Sequence, residues 1–360
     1  MDLGAIRAEL PVCERYAYLN AGSMGPLPRR TAEAIGRAAQ REAAEGRAGR
    51  AFWEEVGAAR DRVRAALAAV LGAGPESLAL TTSSTESCNV VLTGLGIGPG
   101  DEVVTTDSEH PGLFGGLVAS GATVRAAAIR DRPPEEALAA LEAEIGARTR
   151  LIAVSHVSWL TGAVLPVREL AGRDIPVLVD GAQGAGAIPV DVEELGCDFY
   201  TVSAQKWLLG PDSTGCLYVR PERIEELRMT FPSYMSWVFP DYKPKADAGR
   251  FDPGWIGAGA LTGLLESLAF AAEAGEERFT AAVAAADRLR ELLAAKGVEP
   301  VGRPGEGTLV SFPWPDPENI VARLAANGVV VRDLPGTGWL RASCGFWTSE
   351  EDLERLVEGL

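Results

Sequence analysis

Between residues 78 and 220, short runs that are apolar on both faces alternate with helix-forming stretches: LALTT (78–82), EVVTT (102–106), TVRAAAI (123–129), RLIAVS (150–155), PVLVD (176–180), FYTVS (199–203) and GCLYVR (215–220). A strand with one wet face would alternate apolar and polar residues. These do not, so both faces must be covered, and the spacers between them predict a mostly parallel sheet flanked by helices. In such a sheet ligands sit beyond the carboxyl ends of the strands, which is where functional residues are expected. After residue 257 the pattern becomes a long alanine-rich helical region (258–296), then TLVSF (308–312), a helix near 317–326, GVVVR (328–332), WLRAS (339–343) and a last helix over 348–360 that opens on a capping box of Thr348 with Glu351. The fold class expected is α/β: a large domain over 15–249 built on a mostly parallel seven-stranded sheet, and a small α+β C-terminal domain over 250–360 joined by an N-terminal arm, 1–14. The segment 221–257 has too many prolines for a helix and too many aromatics for a free linker, and is expected to form an ordered loop bordering the site.

At 360 residues and 47% apolar, the chain can bury a large core. With 34 basic against 50 acidic residues its net charge is −16, which opposes nucleic acid and anionic membrane as partners. No run reaches membrane-spanning length and the first residues lack a signal-peptide layout, so a cytoplasmic protein is expected. The five cysteines are scattered without metal-type spacing and read as reduced, mostly buried thiols, and no metal site is expected.

Against this background Lys206 stands out as one of four lysines in the chain, lying between the apolar stretches DFYTVS and WLLG. An ordinary lysine there would lose either its charge or its burial. Asp180 closes the run VLVD upstream, and an amine able to form a Schiff base together with a buried carboxylate for a pyridine nitrogen is what pyridoxal 5′-phosphate requires. The hydroxyl-rich turn TTSSTES (81–87), between a strand and a helix starting near Thr85, has the makings of a phosphate cradle, to which Ser203 could add a hydroxyl; a Ser/Thr-capped helix would look the same. His110, in EHPG (109–112), follows a strand on the same side and could stack on the ring or simply cap a helix. His156 ends the RLIAVS run and reads as packing rather than catalysis. Arg341 in WLRAS, with Arg332 on a neighbouring strand, offers guanidinium forks for a substrate α-carboxylate, the alternative being ordinary salt bridges.

Together YLNAGSMGPLP (18–28), TTSSTES, SEHPG, SHVSWLTGAVLP, LVDGAQGAG, SAQKW and WLRAS resemble the class V aminotransferases of pyridoxal phosphate fold type I, and among them the cysteine/cystine C–S lyases. The resemblance implies Lys206 as Schiff-base lysine, Asp180 as pyridinium partner and His110 stacked on the ring. It further implies Gln183 near the phenolic oxygen, Ser84, Thr85, Ser203 and Gln205 around the phosphate, Arg341 with Arg332 on the substrate carboxylate, Trp237 bordering the substrate, and a homodimer.

The chain departs from the related desulfurases in ways that matter. Their nucleophilic cysteine has no counterpart in DLPGTG (333–338), Cys344 is expected in the domain core, Gln205 replaces a histidine, Trp159 replaces an asparagine, and Trp255 stands where relatives carry a small hydroxyl residue. The expected reaction is therefore α,β-elimination on cysteine or cystine. Transamination or epimerisation is the rival, and a non-catalytic cofactor-binding regulator a more distant one.

Overall fold

The computed structural model describes residues 2–130, 132–305 and 307–360. Its central sheet has seven strands, β1 (Leu78–Thr81), β2 (Glu102–Thr106), β3 (Thr123–Ala127), β4 (Thr149–Ser155), β5 (Val177–Asp180), β6 (Phe199–Ser203) and β7 (Gly215–Val219), in the order β1-β7-β6-β5-β4-β2-β3. Strands β3, β2, β4, β5 and β6 run parallel, while β7 is antiparallel to both β6 and β1. Every residue of β2, β5, β6 and β7 is buried, which is why their runs lack alternation.

Two cores cover the sheet. Helices Arg50–Leu71 and Ala258–Glu273 fill one face with Val63, Leu67, Leu71, Leu261, Leu264 and Leu268; helices Ser84–Gly94 and Pro111–Ala119 fill the other with Val91, Leu113 and Leu117. Each such buried side chain contributes about 1.5–3 kcal/mol relative to exposure. The alanine-rich region is two helices rather than one, because Gly275 takes φ +65 and the second begins at Glu277. The first of them packs on the sheet, and we propose grouping it with the large domain.

The small domain has a three-stranded antiparallel sheet of β8 (Leu309–Pro313), β9 (Arg332–Leu334) and β10 (Trp339–Ser343), with β10 in the middle. The run GVVVR divides at Val331: Val329 and Val330 pair in parallel with Ala17 and Tyr18 of the N-terminal arm, and only Arg332 onward joins this sheet. The arm therefore shares the small-domain core through Ala17 and Leu19.

The last helix, Glu350–Gly359, carries its capping box one residue later than expected: Ser349 and Asp352 bond reciprocally, while Thr348 Oγ1 accepts from Gly345 N–H. Two overlapping patterns, T-x-x-E and S-x-x-D, fit the motif. Buried Asp352 also pairs with Arg7 at 2.5 Å, and that contact favours the second register. Among the described residues no helix is long and apolar enough to cross a membrane.

Candidate active site

The carboxyl ends of β4, β5 and β6, the amino end of helix Ser84–Gly94 and the middle of β10 meet in one cleft. Asp180 is the last residue of β5; its Oδ1 accepts from Ala182 N–H at 3.0 Å and from Thr201 Oγ1 at 3.3 Å, so the carboxylate is buried but fixed. Lys206 lies three residues past β6, on a turn that ends at Leu209 with φ +55, an uncommon conformation for a branched residue. Burial draws the Lys206 amine down to about 8, opposed by the Asp180 charge and assisted by Arg341 and Arg332.

The arm closes over this turn. Gly25 N–H donates to Gln205 O at 2.8 Å, and a Cβ on Gly25 would stand 2.1 Å from Lys206 O, so only glycine allows the approach.

The expected cradle is present. Ser83 caps the helix by accepting from Glu86 N–H, Ser84 N–H donates to Ser203 Oγ at 3.0 Å, and Ser203 Oγ reaches Ser84 Oγ at 3.1 Å. Thr85 is exposed in the same first turn, and one end of the Gln205 amide is buried with no partner. Hydroxyls, free helix N–H groups and an unsatisfied amide suit a phosphate; a fixed carboxylate suits a protonated ring nitrogen; an amine with a lowered pKa suits an aldehyde. The residues fit pyridoxal phosphate.

His110 proves to be a cap: its Nδ1 accepts from Gly112 N–H at 3.0 Å at the start of helix Pro111–Ala119. The ring nevertheless faces the cleft, edge-on to Trp159 at 5.1 Å, and it feels both Lys206 and Asp180. Burial first and the Lys206 charge second pull it down to about 4, so it is a neutral ring at working pH with its proton on Nε2. His156 lies deeper, its Nδ1 2.9 Å from the Tyr200 hydroxyl, as expected of a packing residue.

Glu109, beside it, escaped the sequence reading. Its buried carboxylate accepts from Thr106 Oγ1 at 2.7 Å, Ser155 Oγ at 2.5 Å and Ser155 N–H at 3.1 Å, which joins the ends of β2 and β4 beneath His110. Burial pushes it up to about 7 against those hydrogen bonds. The motif EHPG drew attention to its histidine, and nothing local marks the glutamate as buried.

Across the cleft Arg341 is fully buried, donating to Trp159 O at 3.0 Å and Ser23 Oγ at 3.4 Å, with Nε unpartnered. Arg332 stands directly opposite in the β9–β10 register, 3.3 Å from the same Ser23 Oγ and 5.8 Å above the Trp159 ring. Among the described residues neither guanidinium pairs with a carboxylate, and Asn20 Oδ1, Trp159 Nε1 and Ser343 Oγ are further buried orphans. Burial and the neighbouring Arg332 charge pull Arg341 down to about 9, still cationic at neutral pH. Two unpaired cations in an acidic chain make a seat for an anion.

Two expected site residues sit differently. Gln183 has both amide ends engaged, donating to Gly22 O at 2.8 Å and accepting from Trp207 Nε1 at 2.8 Å, so it tethers the arm. Trp237 lies in a small hairpin with its ring against Tyr242, in a segment held to β1 through Asp252, which takes Leu80 N–H, Arg60 and Arg64. It is not brought to Lys206 within the chain. Trp255 is 40% exposed and packs edge-on against Trp53 at 5.2 Å. All five cysteines are buried and free, Cys344 in the small-domain core.

A family model, aminotransferase class-V, matches residues 17–356. The isopenicillin N epimerase of Streptomyces clavuligerus is 32% identical, with 95% of this chain and 93% of the relative covered. A probable cysteine desulfurase of Pseudomonas aeruginosa is 31% identical, covering 98% and 96%. Among solved structures, the cystine C–S lyase C-DES in complex with its product cysteine persulfide superposes with TM-score 0.92 at 29% identity over 97% and 98% of the chains. A lysine-to-alanine variant of C-DES carries glycine covalently linked to its pyridoxal phosphate and superposes equally well, TM-score 0.92.

Proposed function

The chain belongs to the class-V aminotransferase family and is a pyridoxal phosphate-dependent enzyme, and from that premise we propose that it performs α,β-elimination on cystine or cysteine, giving pyruvate, ammonia and persulfide or sulfide. When bound, the cofactor supplies an electron sink that acidifies the α-carbon of an amino acid. Lys206 holds the cofactor and moves the α-proton, Asp180 keeps the ring nitrogen protonated, and Ser84, Thr85, Ser203 and Gln205 receive the phosphate. His110 packs against the ring as a neutral imidazole. Arg341, helped by Arg332, takes the α-carboxylate and so fixes which substrate bond faces the lysine.

The observation that carries this reading is the supply of acid–base groups. Lys206, near 8, is an amine able to exchange a proton close to neutrality, whereas His110, near 4 and engaged as a cap, is not. Elimination needs one base and a leaving group; epimerisation is best served by a second proton donor. Sulfur transfer through a protein persulfide lacks a nucleophile, since every cysteine is buried and 333–338 contains none.

The test is pyruvate release from L-cystine by cofactor-loaded protein with no 2-oxo acid present, with Lys206→Ala as control. Lysine-dependent pyruvate is expected. No pyruvate, with a cofactor band that still shifts on adding amino acids, would move the assignment to epimerisation or transamination, the reading favoured by the full-length likeness to the epimerase.

The proposal includes a homodimer. Trp53, Tyr234, Tyr242 and Trp255 are 51%, 50%, 65% and 40% exposed, and such an aromatic patch is characteristic of an interface. Analytical ultracentrifugation tests it, with a monomeric mass at micromolar concentration as the contrary result.

A further inference from the structure

A cavity of about 440 Å³ lies between the domains, next to the cleft but distinct from its anion seat. Three arginines line it, Arg130 and Arg132 from the loop after β3 and Arg303 from the small domain, and no carboxylate does so among the described residues. In a chain of net charge −16 that is a concentrated positive field.

Arg130 is the inner member. Its Nη2 donates to Asp107 O at 2.9 Å, while its Nε is buried with no partner. The adjacent Asp107 carboxylate is occupied elsewhere: Oδ1 accepts from Ile129 N–H, Arg130 N–H and Ser108 Oγ. Arg132 has a carboxylate only at 3.8 Å, from Glu136, with both side chains about half exposed. Basic side chains facing a cavity without a counter-charge are costly unless an anion is taken up there.

The cavity is continuous with the catalytic machinery in sequence and in packing. Its wall residue Ser108 lies two positions before His110, Ser158 immediately precedes Trp159, and Trp339 packs on the cluster that contains Trp159. Trp159 thus stands between His110 and the cavity, with its own Nε1 unpartnered.

We infer that this cavity receives a second carboxylate of the substrate, remote from the reacting α-carbon and the Arg341 seat. The preferred substrate class is then an amino acid with carboxylates at both ends. Cystine belongs to it and cysteine does not. The inference rests on the reading that the enzyme acts on a free amino acid, and it does not depend on the elimination step.

The probe is 2,7-diaminosuberate, which has carboxylates at both ends and no β-leaving group, compared with norleucine, which has one carboxylate. Each is titrated into cofactor-loaded protein and followed by the cofactor absorption band, so affinity is read without turnover. Arg130→Ala is expected to weaken diaminosuberate binding about tenfold and leave norleucine unchanged, the size of one charge-assisted contact. Equal weakening of both ligands, or of neither, would overturn the inference. Norleucine binding also reports that the variant is folded; if it is not, Arg132→Gln on the exposed rim is read by the same two outcomes. Selective binding without pyruvate from cystine would remove the lyase reading alone, and pyruvate without selectivity would remove this inference alone.

Discussion

The two walls of the cleft are built on opposite principles. On the large-domain wall nearly every polar group already has a protein partner: Asp180 holds Ala182 N–H and Thr201, Glu109 holds Ser155 and Thr106, and Ser203 holds Ser84. On the small-domain wall Arg341 Nε, Asn20 Oδ1, Ser343 Oγ and Trp159 Nε1 are buried without partners, and two guanidiniums face each other across a strand pair. A satisfied network keeps its geometry whether or not ligand is present, whereas unsatisfied buried groups hold free energy that binding can release. On this view the first wall determines turnover and the second determines affinity.

Removing Lys206 is the strongest test of that division. Lys206→Ala is expected to lower kcat by about 10³–10⁴-fold, the upper range for a positioned proton carrier, with little change in how the apoprotein holds an amino-acid carboxylate. A steady-state assay together with equilibrium dialysis of the substrate would separate the two effects. Comparable losses in both would erase the distinction between the walls.

Arg341→Ala should show the reverse. Its loss leaves Arg332 and Ser23 to hold the carboxylate, and truncating a buried charge-assisted contact costs about 2–4 kcal/mol, or about 30- to 1000-fold, which should appear chiefly in KM. A fall confined to kcat would argue that Arg341 supports the fold rather than the substrate.

Glu109 tests the large-domain wall through pH. Its folded pKa of about 7 lies above the ordinary 4.5. A raised pKa means that the stability it brings is fully present below about pH 4.5 and is lost as pH rises through about 7. The difference of roughly 2.5 units corresponds to about 3 kcal/mol. Asp180 is the charged neighbour that adds to the shift, and both histidines titrate alike in the variant, so the quantity to measure is the urea-unfolding difference between wild type and Glu109→Gln. That difference should fall by about 3 kcal/mol from pH 4.5 to pH 8. Parallel curves would mean that Glu109 stays charged in the folded protein.

What could be read in advance follows the same division. All seven strands of the large sheet lie within a residue or two of the apolar runs, because burial on both faces is a property of the strand's own residues. Lys206 and Asp180 were legible because charge is rare between such runs. Glu109 was not, since its burial comes from Ser155 on a strand 46 positions away. Gln183 resembled a ligand of the cofactor until Gly22 and Trp207 occupied both ends of its amide, and these too are distant in sequence. Ser23, which touches both arginines, lay unremarked within YLNAGSMGPLP. The cap at Ser349 rather than Thr348 was undecidable locally, because Arg7 from the other end of the chain selects it.

Arg332 provides the finest test of the small-domain wall, because its removal has two opposing consequences. Arg332→Ala deletes one weak donor, 3.3 Å from Ser23, and a contact over Trp159, an interaction worth about 0.5–1 kcal/mol at a partly exposed site. It also removes the like charge that pulls Arg341 down, so Arg341 becomes a firmer cation toward the substrate. The expected net effect on KM is a rise of less than about tenfold, with kcat unchanged. If Arg332 serves mainly as a second positive charge, Arg332→Lys should restore KM; if its planar fork is what matters, lysine should behave like alanine. A rise as large as that of Arg341→Ala would mean that the two arginines act as a single clamp and that the wall has no division of labour between them.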